Sequence, residues 1–159
     1  MQRHHSVAVS AVRFAGADTC QPAPGVLDAM SGADVIVIAP SNPIVSIGPL
    51  LAVPGVRDEL VARRDHVVAI SPIVAGAALK GPADRLMTEL GHVASVAGVA
   101  RIYRELVAPL VIDTADVALR PAVAAEGVRC VVTDTIMADP VVARALALTT
   151  LTAGPGGER

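Results

Sequence analysis

The sequence predicts an α/β domain built on a mostly parallel sheet with helices on both faces. Three observations carry that expectation. Short β-branched runs recur along the chain with almost no polar residue inside them, as strands buried on both faces require. Segments with helical punctuation lie between these runs, and alternation of strand and helix is the mark of this class. Finally, 53% of the 159 residues are hydrophobic against 18% charged. That composition, with a mean hydropathy of +0.58, is enough to bury a sizeable core and too apolar for intrinsic disorder.

The elements follow in order. Val7 to Phe14 alternates up to the turn at Gly16 and reads as a first strand. Pro24 to Met30 is a short helix with Pro near its first turn. Asp34 to Ala39 is a continuous apolar run closed by Pro40. Ser46 to Arg64 is helical in two pieces, because Pro54-Gly55 interrupts it. His66 to Ile70 is the next strand, closed by Ser71-Pro72. Pro82 to Leu90 is a helix that starts with Pro and stops at Gly91. Ser95 to Val107 places Val96, Val99, Ala100, Tyr103 and Leu106 on one helical face, most simply a core stripe. Leu110 to Ile112 and Val128 to Thr133 are the last strands, and Asp139-Pro140 opens a helix through about Leu148. Residues 1–150 read as one domain and 151–159 as a flexible tail, fraying from Gly154.

Composition removes several function classes. Net charge is −2, and Phe14 and Tyr103 are the only aromatic residues, so a basic groove with stacking platforms for nucleic acid is not expected. Apolar stretches are broken well before the length of a membrane-spanning helix, and Met1 to Ser10 lacks the apolar block of a signal peptide. Cys20 and Cys130 form no CxxC pair or zinc pattern and read as small buried or half-buried residues, with a reduced cytoplasmic compartment as the default. The His4-His5 pair, His66 and His92 show no metal-ligand spacing. There is no GxSxG elbow and no GxxxxGK[ST] loop.

In an open parallel sheet ligands bind beyond the carboxyl ends of the strands, near the point where strand order reverses. After the second run, Ser41, Asn42 and Ser46 offer hydroxyl and amide donors, and the following helix would aim its N–H groups at the same spot, an arrangement suited to phosphate. The competing reading is that they cap the helix. After the third run, the long stretch from Ser71 to Pro82 holds one cation, Lys80, beside Gly81, where backbone could approach a ligand; the alternative is a solvated surface lysine. Asp113 and Asp116 follow the fourth strand, and Asp134 with Thr135 the fifth. Carboxylates so placed can hold Mg²⁺ beside phosphates, and equally well cap the next helix. Pattern alone thus reaches an α/β domain with a phosphate- or nucleotide-binding edge.

At these loops the sequence resembles the 2-phospho-L-lactate transferases (CofD, called FbiA in actinobacteria). The resemblance is carried by Ala39-Pro-Ser-Asn-Pro-Ile-Val-Ser-Ile-Gly-Pro-Leu-Leu51, Val53-Pro-Gly-Val-Arg57, Ser71-Pro-Ile-Val74, Leu79-Lys-Gly-Pro-Ala-Asp84 and Asp134-Thr-Ile-Met137. It runs from about Val7 to Leu148. It implies a CofD-like, Rossmann-like fold and a transferase of coenzyme F-420 biosynthesis. Such enzymes move a phospholactyl or phosphoenolpyruvyl group from a guanosine-diphosphate-linked donor to 7,8-didemethyl-8-hydroxy-5-deazariboflavin. GMP is released and Mg²⁺ is required. By resemblance, Ser41, Asn42 and Ser46 contact donor phosphate while Lys80 and Gly81 close over it; the candidate metal ligands Asp113 and Asp134 rest on their strand-end positions and not on the resemblance.

The chain matches only the C-terminal half of such proteins, so the expectation is an N-terminally truncated domain, a fragment or a split subunit. The glycine-rich strand–turn–helix and the residues that hold deazaflavin and metal have no counterpart. An incomplete sheet exposes an apolar edge and face, which predicts a homodimer or a requirement for the missing half. Two further readings stand beside the transferase. One is an inactive nucleotide-binding fragment, and the other is a CofD-like regulator that binds nucleotide-sugars. The details of the Ser41 to Ile47 and Ser71 to Pro82 loops favour the transferases over that last group.

Overall fold

The computed structural model describes residues 7–155. In chain order the elements are α1 (Val26–Gly32), β1 (Ile36–Ile38), α2 (Gly48–Leu51), α3 (Val56–Ala62), β2 (Val67–Ile70), β3 (Ile73–Val74), β4 (Ala77–Ala78), α4 (Ala83–Glu89), α5 (Val96–Tyr103), β5 (Pro109–Ile112), α6 (Arg120–Ala125), β6 (Arg129–Val132) and α7 (Pro140–Ala153). Four of the apolar runs form one parallel sheet in the order β1-β2-β5-β6, and β3 and β4 form a separate antiparallel hairpin. The mostly parallel α/β class is therefore the observed one.

Side chains alternate between the faces of each strand. Ile38, Val67, Ala69, Leu110, Ile112 and Cys130 enter one core, with Leu60 of α3, Met87 of α4, Val96, Val99, Ala100 and Tyr103 of α5, and Val123 of α6. Val68, Ile70 and Val111 enter a second core against Leu146 and Ala153 of α7. The expected stripe of α5, together with Leu106 beyond its end, is buried throughout.

Several expectations need correction. The strand expected at Val7 to Phe14 is absent: these residues form no regular element and join no ladder. They lie against helices instead, with the Val9 N–H donating to Glu89 Oε2 of α4 at 3.0 Å and the Phe14 ring against Gly48, where an added Cβ would come within 2.8 Å of Cζ. Alternation alone does not make a strand, because a ladder needs a neighbour to receive its backbone hydrogen bonds. The last helix runs past Leu148 to Ala153, and both Ala153 and Gly154 are buried, so the start of the expected tail is structured. Residues 156–159 of that tail lie outside the described residues, as do His4 and His5. The Ser71 to Pro82 stretch, read as one long loop, contains the β3–β4 hairpin. The α6 helix went unpredicted, although Pro121 near its start and Gly127 beyond its end are ordinary helix punctuation.

The strand order runs in one direction, so no reversal of order occurs among the described strands. No helix among the described residues is long and apolar enough to cross a membrane.

Candidate functional site

The carboxyl ends of β1, β2 and β6 open onto a cleft of about 700 Å³. It is lined from the first by Ser41, Asn42 and Ser46, from the hairpin return by Lys80 and Gly81, and from the last by Thr135, Ile136 and Met137. All five predicted binding residues are thus brought to one place. Lys80 is exposed and is the one ionisable side chain in that lining, and among the described residues it enters no salt bridge.

The turn after β1 differs from the expectation in its chemistry. Asn42 Oδ1 accepts from the N–H groups of Ile44 at 2.9 Å and Val45 at 3.2 Å. Pro43 has no N–H, and the Ser46 and Ile47 N–H groups both return to the Asn42 carbonyl at 3.1 and 3.0 Å. The Ile47 bond spans five residues, so this turn is a π-type winding, a form found frequently at functional sites. The early N–H groups are therefore spent inside the turn and are not aimed outward at an anion. Capping is a role of Asn42 Oδ1. Its Nδ2, in contrast, is buried without a hydrogen-bond partner among the described residues, and a buried donor left unmatched is costly. The donors offered by this loop are side chains, not helix backbone.

The hairpin sets the opposite rim. Ser71 is buried, and its hydroxyl both donates to the Ile73 carbonyl and accepts from the Ile73 N–H, tying the entry to β3. Ala75 and Gly76 form a two-residue turn with φ of 50° and 79°. Positive φ at both central positions is what a tight hairpin loop of this twist requires, and only the second of the two is glycine. Asp116 reaches across from the turn after β5, its Oδ2 accepting from the Ala75 N–H at 2.9 Å. Sequence reading grouped Asp116 with the metal candidates and missed this contact.

Asp113 caps the turn after β5 through its Oδ1, which accepts from the Ala115 N–H at 2.9 Å. Its Oδ2 accepts from both the N–H and the hydroxyl of Thr135, at 2.8 and 2.9 Å. Burial pushes the Asp113 carboxyl upward, and the hydrogen bonds from Ala115, Thr135 and Thr114 outweigh it, leaving the group below its ordinary value. Asp113 thereby anchors the start of the Thr135–Met137 wall. Asp134 is exposed, stands outside the cleft lining, and accepts from the Thr114 hydroxyl at 2.8 Å. Magnesium takes an octahedron of oxygens. With Asp113 committed to three short hydrogen bonds and no group of three or more His, Cys, Asp or Glu placed to hold a metal among the described residues, these two aspartates do not fit a metal site by themselves.

Behind the cleft, sharing Pro40 and Met137 with it, lies an apolar recess of about 340 Å³ between β1 and α7. Its one hydroxyl, that of Thr150, is spent on the Leu146 carbonyl at 2.8 Å. Cys20 and Cys130 are free thiols; Cys130 is buried, and burial raises its pKa more than Arg120 lowers it.

Comparison with known proteins gives one consistent answer. The sequence pattern of the family described as 2-phospho-L-lactate transferase CofD matches residues 1–147. The chain is 42% identical over 149 residues to a phosphoenolpyruvate transferase of Kitasatospora aureofaciens, covering 93% of this chain and 46% of that protein. It is 43% identical over 135 residues to the phosphoenolpyruvate transferase of Streptomyces griseus, covering 84% and 42%. It is 43% identical over 116 residues to the 2-phospho-L-lactate transferase of Methanothermobacter thermautotrophicus, covering 73% and 36%. The chain thus spans less than half the length of each of these relatives.

Proposed function

Because the chain belongs to the 2-phospho-L-lactate transferase CofD family, we propose that it binds the donor in a transferase of coenzyme F-420 biosynthesis. The observation that carries this reading is the cleft itself. Ser41, Asn42 and Ser46 face Lys80 and Gly81 across a space of about 700 Å³ with a single positive charge and no carboxylate in its lining. Neutral donors and one cation suit the diphosphate of a guanosine-diphosphate-linked phospholactyl or phosphoenolpyruvyl donor, because they stabilise charge that shifts onto the leaving phosphate.

In the proposed step a hydroxyl of the deazaflavin 7,8-didemethyl-8-hydroxy-5-deazariboflavin attacks the phosphorus that carries the three-carbon group. A new P–O bond forms, the P–O bond to the bridging oxygen breaks, and that oxygen leaves with GMP. The hydroxyl proton is lost to solvent. Lys80 and the hydroxyls of Ser41 and Ser46 hold phosphate oxygens during the displacement. The family's Mg²⁺ enters no step here, since Asp113 and Asp134 do not assemble its site. The unpaired Cys20 and Cys130 support a cytoplasmic setting for the reaction.

Calorimetric titration with GDP, using UDP and ADP as controls, tests the reading. Selective GDP binding is the expected result, and no binding to any of the three overturns it. Lys80→Ala should weaken GDP binding by about 1–3 kcal/mol, the range for a charge-assisted hydrogen bond; an unchanged affinity removes Lys80 from the site. The coverage of less than half of each relative supports a second reading, binding without turnover. A transferase assay with and without the N-terminal half of a relative separates the two.

A further inference from the structure

We propose that Asp116 is a positioning residue for Lys80, acting through the β3–β4 hairpin; this rests on the donor-binding reading of the cleft. The hairpin's two arms are held differently. Ile73 and Val74 of the outgoing arm are buried in the core. The return arm is Ala77-Ala78, exposed and half-buried, with only methyl groups to pack. Two residues later the chain reaches Lys80 on the cleft rim. The return path is therefore set by the turn at Ala75-Gly76 and by the short ladder pairing Ile73 with Ala78 and Val74 with Ala77.

That turn places Ala75 at φ 50°, a region that L-residues enter rarely and hold only when something fixes them there. Ala75 is exposed, so packing does not fix it. The Asp116 carboxylate does: it is buried, 4% exposed, and accepts the Ala75 N–H at 2.9 Å from 41 residues along the chain. Asp116 itself sits in a rigid place, its own N–H bonded to the Asp113 carbonyl at 3.0 Å. The Asp113 side chain is in turn bonded to Thr135 on the far wall of the cleft. One short segment after β5 thus braces both walls, through Asp116 to the hairpin and through Asp113 to Thr135.

The experiment compares Asp116→Ala, Asp116→Asn, Lys80→Ala and the Asp116→Ala/Lys80→Ala double variant by GDP titration and by amide hydrogen exchange. Loss of the pinning bond should raise the Kd for GDP about tenfold, the scale of one hydrogen bond. Asp116→Asn keeps an acceptor oxygen and should stay within about twofold of the wild type. Because Asp116 acts through Lys80, the double variant should bind no worse than Lys80→Ala alone, whereas additive losses overturn the proposal. Exchange of the amides of residues 75–81 should quicken in Asp116→Ala while those of β2 and β5 keep their protection. Unchanged exchange at 75–81 overturns the proposal whatever the binding result. If the wild type binds no GDP, the donor-binding reading fails, and the exchange data alone decide whether Asp116 pins the hairpin. Asp116→Ser, whose hydroxyl is one atom shorter than the carboxylate, replaces the alanine variant if that yields no soluble protein.

Discussion

One face of the four-stranded sheet is covered by α3, α4, α5 and α6, whereas the other has α7 alone. The difference follows from strand order. When parallel strands succeed one another in a single direction and every crossover has the same hand, all the connecting helices fall on one side. Only a helix that is not a crossover, here the C-terminal α7, is free to cover the other side. The cost is visible in packing: Val37 on β1 is 41% exposed, Val141 and Leu148 of α7 are exposed as well, and a recess of about 340 Å³ lined by Val37 and Leu151 opens between β1 and α7. Among the described residues the sheet thus has one thickly covered face and one thinly covered face.

Substitutions on the two faces sharpen or break that contrast. Leu110→Ala empties a fully buried site of the thick core and should cost about 4 kcal/mol. Leu146→Ala removes a side chain that already borders an open recess and so has fewer packing contacts to lose, and should cost about 2 kcal/mol. Denaturant midpoints of the two variants measure it, and equal losses would end the claim that the faces differ. Gly98→Ala, in the first turn of α5, puts a Cβ within 1.9 Å of the Val93 carbonyl oxygen. Backbone must move to admit it, so a loss of about 3 kcal/mol is expected on melting.

Asp113→Ala tests the junction beyond the strand ends. At neutral pH it leaves the buried Thr135 N–H and hydroxyl without their acceptor and should cost about 2 kcal/mol. Asp113 sits below its ordinary value in the fold. Its contribution is therefore fully present above the unfolded carboxyl value of about 3.9 and is lost as pH falls through the folded one. The gap between variant and wild type should shrink in acid; a gap independent of pH would rule out the carboxylate as its source. The smallest effect belongs to Tyr103. Its hydroxyl is buried in the thick core without a partner among the described residues, and burial raises its pKa. Tyr103→Phe removes that unmet group and should stabilise the protein by about 1 kcal/mol.

The parts legible in the sequence were those set by local chemistry. Ile36–Ile38, Val67–Ile70, Pro109–Ile112 and Arg129–Val132 were readable as strands because apolar β-branched runs suit burial on both faces. The break between α2 and α3 was readable because Pro54-Gly55 cannot continue a helix. Ser41, Asn42, Ser46, Lys80 and Gly81 were found together because in this class strand ends converge on one edge. The β3–β4 hairpin was missed because its two-residue arms are too short for any periodicity to show.

What the sequence determined by itself is the chain order of the four sheet strands and the donors that follow them, since both depend on neighbours a few residues apart. Tertiary structure alone decided the rest. It sent Val7 to Phe14 to the helices, with Val9 bonded to Glu89, left one face of the sheet thinly covered, and turned Asp113 and Asp116 into braces for Thr135 and Ala75. The thin face follows from strand order, and the other two outcomes share one physical reason. A backbone N–H or buried carboxylate must find its partner wherever the fold brings one, and partners 80, 22 and 41 residues away leave no trace in local pattern.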